Sequence, residues 1–394
     1  MWSAQSLAIS DLRIQVLYDF DYESNRLMLV QCLCLMTYWH DTADGQKDIW
    51  HWIGVAVSMG HTIDLQRDPE GRGFSPAECR LRKRVYWSCF IRDRLIALAT
   101  RKPTKIWEED SDVPMLEESD FEIKVLPESN TVISQDCAVM RDTEVQRQLA
   151  LMCIAKAKLC QSIGHIMKAQ YAPSIDELNK RQSTLSNTLL LPYAPLNDLN
   201  SREVLNAELE RWKDTLPEEC EYRILTDEDT QPENKSLAVH RTLLHMMYHA
   251  ALFALHRPWA ALQDPTDPTL QEIKEESTEG VRTAAMSITG ISYGLHEYNL
   301  GKLLPAVSVI LLVPAAVSHI DRLNCPEQDV KDRAAKAFYD CIQVLNALRE
   351  TFYGADYASV LLGTTLVKKK VDTSGVSDKE IAEFIRQMAA TTIT

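Results

Sequence analysis

Between Lys47 and Ile106 the chain carries two helix-period apolar runs separated by a glycine-rich break, and no other stretch limits the choice of fold as strongly. In the first run Trp50, Ile53 and Val57 recur at helical spacing, so one stripe is expected to face a core while Lys47, His51 and Gln66 face elsewhere. After Gly71-Arg-Gly-Phe74 comes Ser75-Pro76-Ala-Glu78. This segment supplies an N-cap hydroxyl, a proline at the first helical position and a carboxylate three residues past the cap, which predicts a helix starting near Pro76. Along it Trp87, Ile91, Leu95 and Leu98 sit at i, i+4, i+8 and i+11, and Arg80, Lys83 and Arg84 form a cationic patch. Asp93 and Arg94 follow, and Pro103 requires the helix to have ended before it.

The same periodicity continues through most of the chain. Asn25 to His40, Asp136 to Gln170, Ser201 to Leu216, Leu237 to His256, Glu276 to Leu295, Lys302 to Ile320, Asp329 to Tyr353 and Ser377 to Ala389 read as helices, and Leu7 to Phe20 as the end of one. Tyr171 to Asn200 is polar, is interrupted by Pro173, Pro192 and Pro195, and reads as the least structured connection. Alternating runs bounded by hairpin turns are absent, as are the phosphate-binding, zinc-protease and serine-hydrolase signatures. The expected fold is therefore all-α, a multi-helix bundle.

Several kinds of chemistry are disfavoured. A formal charge of -14 and a pI near 5.2 oppose non-specific attraction to nucleic acid, and Arg80 to Arg84 and Lys368 to Lys370 are too short to act as a basic arm. None of the ten cysteines belongs to a CxxC pair, so the paired thiolate spacing of a compact zinc cluster is missing, and several fall among apolar neighbours as reduced core cysteines do. Leu303 to Val317 is apolar but interrupted by Pro305 and Pro314, and it is shorter than the roughly 20 residues a bilayer needs, so it reads as a core helix.

Two clusters have residue types that a metal site could use. The carboxylates of the acidic, proline-punctuated connection Glu108 to Asn130, which contains EEDSD and ESD, read as solvated groups. His245, His249 and His256 fall at i, i+4 and i+11 with no carboxylate in the run to complete or orient a ligand set, which favours packed histidines. No catalytic, cofactor-binding or metal-ligating residue is nominated.

The residues that carry a family likeness are Trp50 and Trp52, the block Arg84-Val-Tyr-Trp87, Asp93-Arg94 and the exit Lys102-Pro103. Further on come Leu244-His-Met-Met-Tyr248, Leu255-His-Arg257-Pro258, and a segment from Ala334 to Tyr357 with spaced Leu and Tyr. In order and spacing these resemble the middle homology region, the fungal-specific transcription factor domain, of fungal zinc-cluster transcription factors, above all the cutinase transcription factor branch. The chain departs from the pattern in three places. It has Tyr86-Trp87 where the family has two tryptophans, Arg101-Lys-Pro103 where the family has Gly-Arg-Pro, and Asp64-Leu-Gln-Arg67 where the family has Gly-Leu-His-Arg. Without the glycine at 101 the helix exit is expected to turn differently, and any partner of Asp93 at the exit would be Lys102.

The resemblance covers about residues 8 to 360 and implies one helical regulatory domain over 1–360, with a variable connection at 171–200 and a tail, 361–394, bearing a short helix. It implies a nuclear transcription regulator of a metabolic or secondary-metabolite gene set, not an enzyme. Its partners would be the transcription machinery or a related full-length factor, with a homodimer and a small-molecule effector both allowed. The chain begins inside the family's first helix, so it is expected to be a shortened regulator or one that has lost its zinc cluster, with weak or no direct DNA binding. Two alternatives stand beside this reading: an accessory or dominant-negative protein that pairs with a full-length relative, and, less favoured, an all-helical enzyme. Arg84, Asp93 and Arg94 are open to two roles, an internal ion-pair network or a contact surface, with the first preferred.

Overall fold

The computed structural model describes residues 18–38, 48–127, 129–133, 137–173 and 189–391. Among these the chain forms α1 (Arg26–Met36), α2 (Ile49–His61), α3 (Pro76–Thr100), α4 (Ala138–Arg141), α5 (Thr143–Gln170), α6 (Asn200–Asp214), α7 (Lys235–Ala260), α8 (Pro268–Glu297), α9 (Val307–Arg322), α10 (Gln328–Arg349), α11 (Tyr353–Lys368) and α12 (Lys379–Thr391). The all-α expectation holds. One small exception was not anticipated: β1 (Tyr171–Pro173) and β2 (Leu190–Pro192) pair antiparallel, with Tyr171 opposite Pro192. Three-residue strands are too short to show an alternating pattern. The helix read over Leu7 to Phe20 lies outside the described residues except at its last positions, as does the middle of the polar connection.

Two compact units share the chain, Met1–Tyr193 with Glu210–Glu221, and Ala194–Leu209 with Tyr222–Thr394. In the first, α3 is the central element, packed against α1, α2 and α5. Its residues from Val85 to Ala97 are buried on nearly every side, Ser88 excepted, so the single stripe read from Trp87 to Leu98 understates it. It starts where expected, with Ser75 Oγ accepting from the Glu78 amide at 3.2 Å. In α2 it is Trp52, 3% exposed, that enters the core beside Ile53 and Val57; Trp50 is only half-buried. The long helix expected over Asp136 to Gln170 is broken at Asp142, whose carboxylate caps the amides of Glu144 and Val145 and so starts α5 afresh.

In the second unit α7 and α8 form the longest antiparallel pair; α9 and α10 pack on α8, α11 packs on α9 and α10, and α12 on α10 and α11. α7 runs through Pro258, which is buried together with Trp259, the bulkiest fully buried side chain in the unit. The segment read as one helix over Asp329 to Tyr353 ends at Arg349, and a separate α11 follows that sequence reading missed. α11 has apolar residues around most of its circumference, so no single stripe marks it. No helix among the described residues is long and apolar enough to cross a membrane; the suspect stretch supplies the buried α9.

Candidate functional site

Four of the family-motif residues of the first unit, Trp50, Asp93, Arg94 and Pro103, meet at one joint between α3 and the chain that leaves it. Asp93 is fully buried, with one carboxylate oxygen accepting from the Lys105 amide at 2.9 Å and the other from the Ile106 amide at 3.1 Å. Arg94 donates to that second oxygen at 2.7 Å, to the Ile106 carbonyl at 3.0 Å and to Glu108 at 3.2 Å, with its guanidinium 4.1 Å over the Phe90 ring. Burial pushes the Asp93 carboxyl above its ordinary value, while Arg94 and the two amides oppose that rise. Desolvation also raises Glu108, but His165 and Arg94 together outweigh it and hold this carboxylate below its usual range.

The helix exit answers the question left by the missing glycine. Arg101 adopts φ 53° and ψ 37°, the left-handed conformation, so the turn is kept even though a side chain occupies it. Asp64, the other position where the family has glycine, also has positive φ, 53°, and its carboxylate holds Arg72 at 2.7 Å. The expected use of Lys102 as a partner for Asp93 is not realised. Lys102 lies on Asp48, the N-cap of α2, at 2.5 Å, because Asp93 is already saturated by two backbone amides and Arg94. Trp50 completes the fastening: its indole donates to the Pro103 carbonyl at 2.8 Å, and the Lys105 ammonium stands 3.1 Å from its ring centroid. Burial lowers the Lys105 ammonium, against the pull of Asp93.

Arg84 belongs to a second joint. It donates to the Asp120 carbonyl and reaches Glu122 at 3.6 Å, while buried Lys83 meets the Asp120 carboxylate at 2.6 Å. Trp87 donates to the Pro114 carbonyl at 2.8 Å and packs on Phe90. The carboxylates of 108–120 are thus not simply solvated. Glu108 and Asp120 neutralise cations of α3, because the connection after the helix folds back along it, and spacing in the sequence does not reveal that return. Arg82, for its part, donates to the Ile63 carbonyl at 3.0 Å and lies over the Phe74 ring. The cationic patch is therefore largely engaged within the unit.

In the second unit Arg257 is half-buried and Pro258 buried near the end of α7. The three histidines have different neighbours: His245 stacks edge-on to Tyr222, His249 lies beside Tyr248, and His256 presses on Gly280, where an added Cβ would come within 2.7 Å of the ring. Among the described residues no group of His, Cys, Asp or Glu is arranged to hold a metal ion. A shallow groove of about 390 Å³ between α8 and α10 is lined by Met286, Gly290 and Ala337 together with Arg333, Lys336 and Asp340. Beneath it, buried Thr289 bonds His319 at 2.8 Å and lies 3.2 Å from the Cys341 sulfur.

Burial first, and then nearby Arg202 and Arg322 respectively, push His256 and His319 down to about 4, with Glu276 opposing the shift at His256. Unfolded imidazoles titrate near 6.5, so between those values the unfolded chain binds more protons and stability falls as the pH falls. Urea midpoints are expected to be flat above about pH 7 and to drop progressively towards pH 4, with a smaller slope in the double variant His256→Gln, His319→Gln. An unchanged slope in that variant would remove these two rings as the cause.

The family described as fungal specific transcription factor domain matches residues 3–214. Cutinase transcription factor 1 beta of Fusarium vanettenii is 46% identical over 365 residues, which is 91% of this chain and 41% of that protein. A transcription factor of Fusarium pseudograminearum is 31% identical over 354 residues, 88% of this chain and 39% of the relative. Transcription factor cpaR of Aspergillus oryzae is 29% identical over 373 residues, 92% of this chain and 60% of the relative. The chain therefore spans between about two fifths and three fifths of the length of these relatives. No solved structure matches. With an all-helical fold, the motif residues gathered at the α3 joints and relatives similar along nearly its whole length, this chain belongs to the fungal-specific transcription factor domain family.

Proposed function

We propose that this chain is the helical regulatory body of a fungal transcription regulator that acts in the nucleus on a metabolic or secondary-metabolite gene set. The observation that carries the reading is the 46% identity to cutinase transcription factor 1 beta over 91% of the chain. Its role is to modulate transcription, not to read bases or catalyse a reaction. A net charge of -14 opposes attraction to phosphates, and Arg82, Lys83 and Arg84 are engaged within their own unit. Its partners are the transcription machinery or a related full-length factor, and the groove beside Gly290 is where a small effector would meet both apolar and charged side chains.

Two measurements test this reading together. The purified chain is expected to give no sequence-selective shift of promoter DNA at physiological salt. Joined to an unrelated DNA-binding module, it is expected to change the output of a matching reporter several-fold. A salt-resistant, selective shift by the chain alone would overturn the first half, and a reporter indifferent to the fused chain would overturn the second.

A further inference from the structure

The chain that leaves α11 is fastened along the start of α10, and the turn before it, by side chains spaced four residues apart. Asn324 accepts from the Asp372 amide at 3.1 Å and Gln328 donates to the Gly375 carbonyl. Asp332 takes both the amide and the hydroxyl of Ser377, at 2.8 and 2.6 Å, while Gln328 donates to the same hydroxyl at 3.1 Å. Directly after this clasp Asp378 accepts from the amides of Glu380 and Ile381 and so starts α12. That helix packs on α10 and α11 with Ile381, Ala382 and Ile385 buried and with Phe384 edge-on to Tyr339. A 13-residue helix is marginal alone in water, so α12 persists only while it stays docked.

Ser377 is exposed, and Asp378 and Glu380 follow it at +1 and +3. One other serine and one threonine have acidic residues at both positions, Ser119 and Thr226. Each of those lies in a single turn closed by its own aspartate, Asp120 or Asp229, whereas the Ser377 hydroxyl joins two elements. We propose that Ser377 is a phosphorylation site for a serine/threonine kinase whose cationic cleft selects acidic residues after the hydroxyl, and that the phosphate undocks α12. The γ-phosphoryl group comes from MgATP. The Ser377 O–H bond and the terminal P–O bond of ATP break, an O–P bond forms on Ser377, ADP leaves, and the proton passes to a base of the kinase.

The transfer turns the clasp into a repulsion. Ser377 Oγ loses the proton it donates to Asp332 and gains a group of charge about −1.5 to −2 against that carboxylate. Gln328, and then Ser377 itself, hold the Asp332 carboxyl below its ordinary value, so it is ionised at neutral pH. Two lysines, Lys331 beside Gly375 and Lys379 in the helix, stand against Asp332, Asp372, Asp378 and Glu380, and the balance of charge around the phosphate is negative. The dipole of α12 attracts a phosphate only within its first turn, where Asp378 already sits. Undocking uncovers the surface of α10 and α11 that α12 covers, beside the groove that Asp332 also lines.

The test treats the purified chain with an acidophilic serine/threonine kinase and MgATP, locates the phosphate by fragment mass spectrometry and follows amide exchange over residues 382–390. Phosphate is expected on Ser377, with exchange over that segment faster by about ten-fold or more. The difference between treated and untreated protein is expected to vanish in Ser377→Ala. Asp332→Lys is expected to reverse its sign: the untreated tail starts loose and tightens on treatment, because the phosphate then faces an ammonium. An absence of phosphate at Ser377, a phosphorylated chain with unchanged exchange, a difference that persists in Ser377→Ala, or an Asp332→Lys tail that fails to tighten would each overturn the proposal. None of these readings uses promoter or reporter, so they leave the transcriptional reading to its own test.

Discussion

Replacing Asp93 with alanine is expected to lower the melting temperature of the first unit by about 10 °C. The substitution leaves the Arg94 guanidinium buried without its carboxylate and strips the Lys105 and Ile106 amides of their acceptors. Breaking a buried pair from one side costs about 3–5 kcal/mol, and a unit of this size loses about 2–4 °C per kcal/mol. Asp93→Asn keeps one oxygen for an amide and is expected to fall between alanine and wild type. Because the chain has two units, melting should be followed by hydrogen exchange and not by a single optical signal. Protection in α3 and in residues 101–110 should collapse first, with α7 to α10 little affected. An alanine variant melting within a degree or two of wild type would show that the joint contributes little to stability and would reopen the contact-surface role for these residues.

Trp259→Ala is the counterpart in the second unit. Trp259 is fully buried near the end of α7, directly after a proline that already removes one helical amide. Truncating a buried tryptophan costs about 3–5 kcal/mol through lost transfer energy and the cavity left behind. Exchange protection is expected to fall across α7 and α8 while α2 and α3 keep theirs. Trp259→Phe, which refills most of the space, should recover more than half of the loss. If phenylalanine were no better than alanine, the indole's polar edge and not its volume would be the important feature.

The sequence made the helical class and the start of α3 readable because both rest on local chemistry: apolar spacing, and Ser75-Pro76-Glu78 at a helix start. What could not be read were facts decided by the chain folding back on itself. Glu108 and Asp120 looked like solvated carboxylates until the return of 101–122 along α3 placed them on Arg94 and Lys83. Lys102 looked like the successor to a family arginine facing Asp93, but it reaches across to the cap of α2. The glycine lost at 101 suggests an altered helix exit, yet Arg101 keeps the left-handed geometry, as Asp64 does at the other departure, since surrounding packing outweighs the roughly 1–2 kcal/mol that a side chain costs there. α11 escaped notice for the opposite reason: apolar residues on two faces flatten the very periodicity by which helices are recognised.

One residue of the buried joint limits the order in which its sequence can drift. An added Cβ at Gly164 would come within 2.6 Å of Arg94 Nε and 3.2 Å of the Glu108 carboxylate. A larger residue can therefore settle at 164 only after position 94 has shortened, and 94 can shorten only once Asp93 no longer carries a charge that needs it. Any descendant lineage that abandons this arrangement is expected to have crossed those three positions in that sequence, the glycine last.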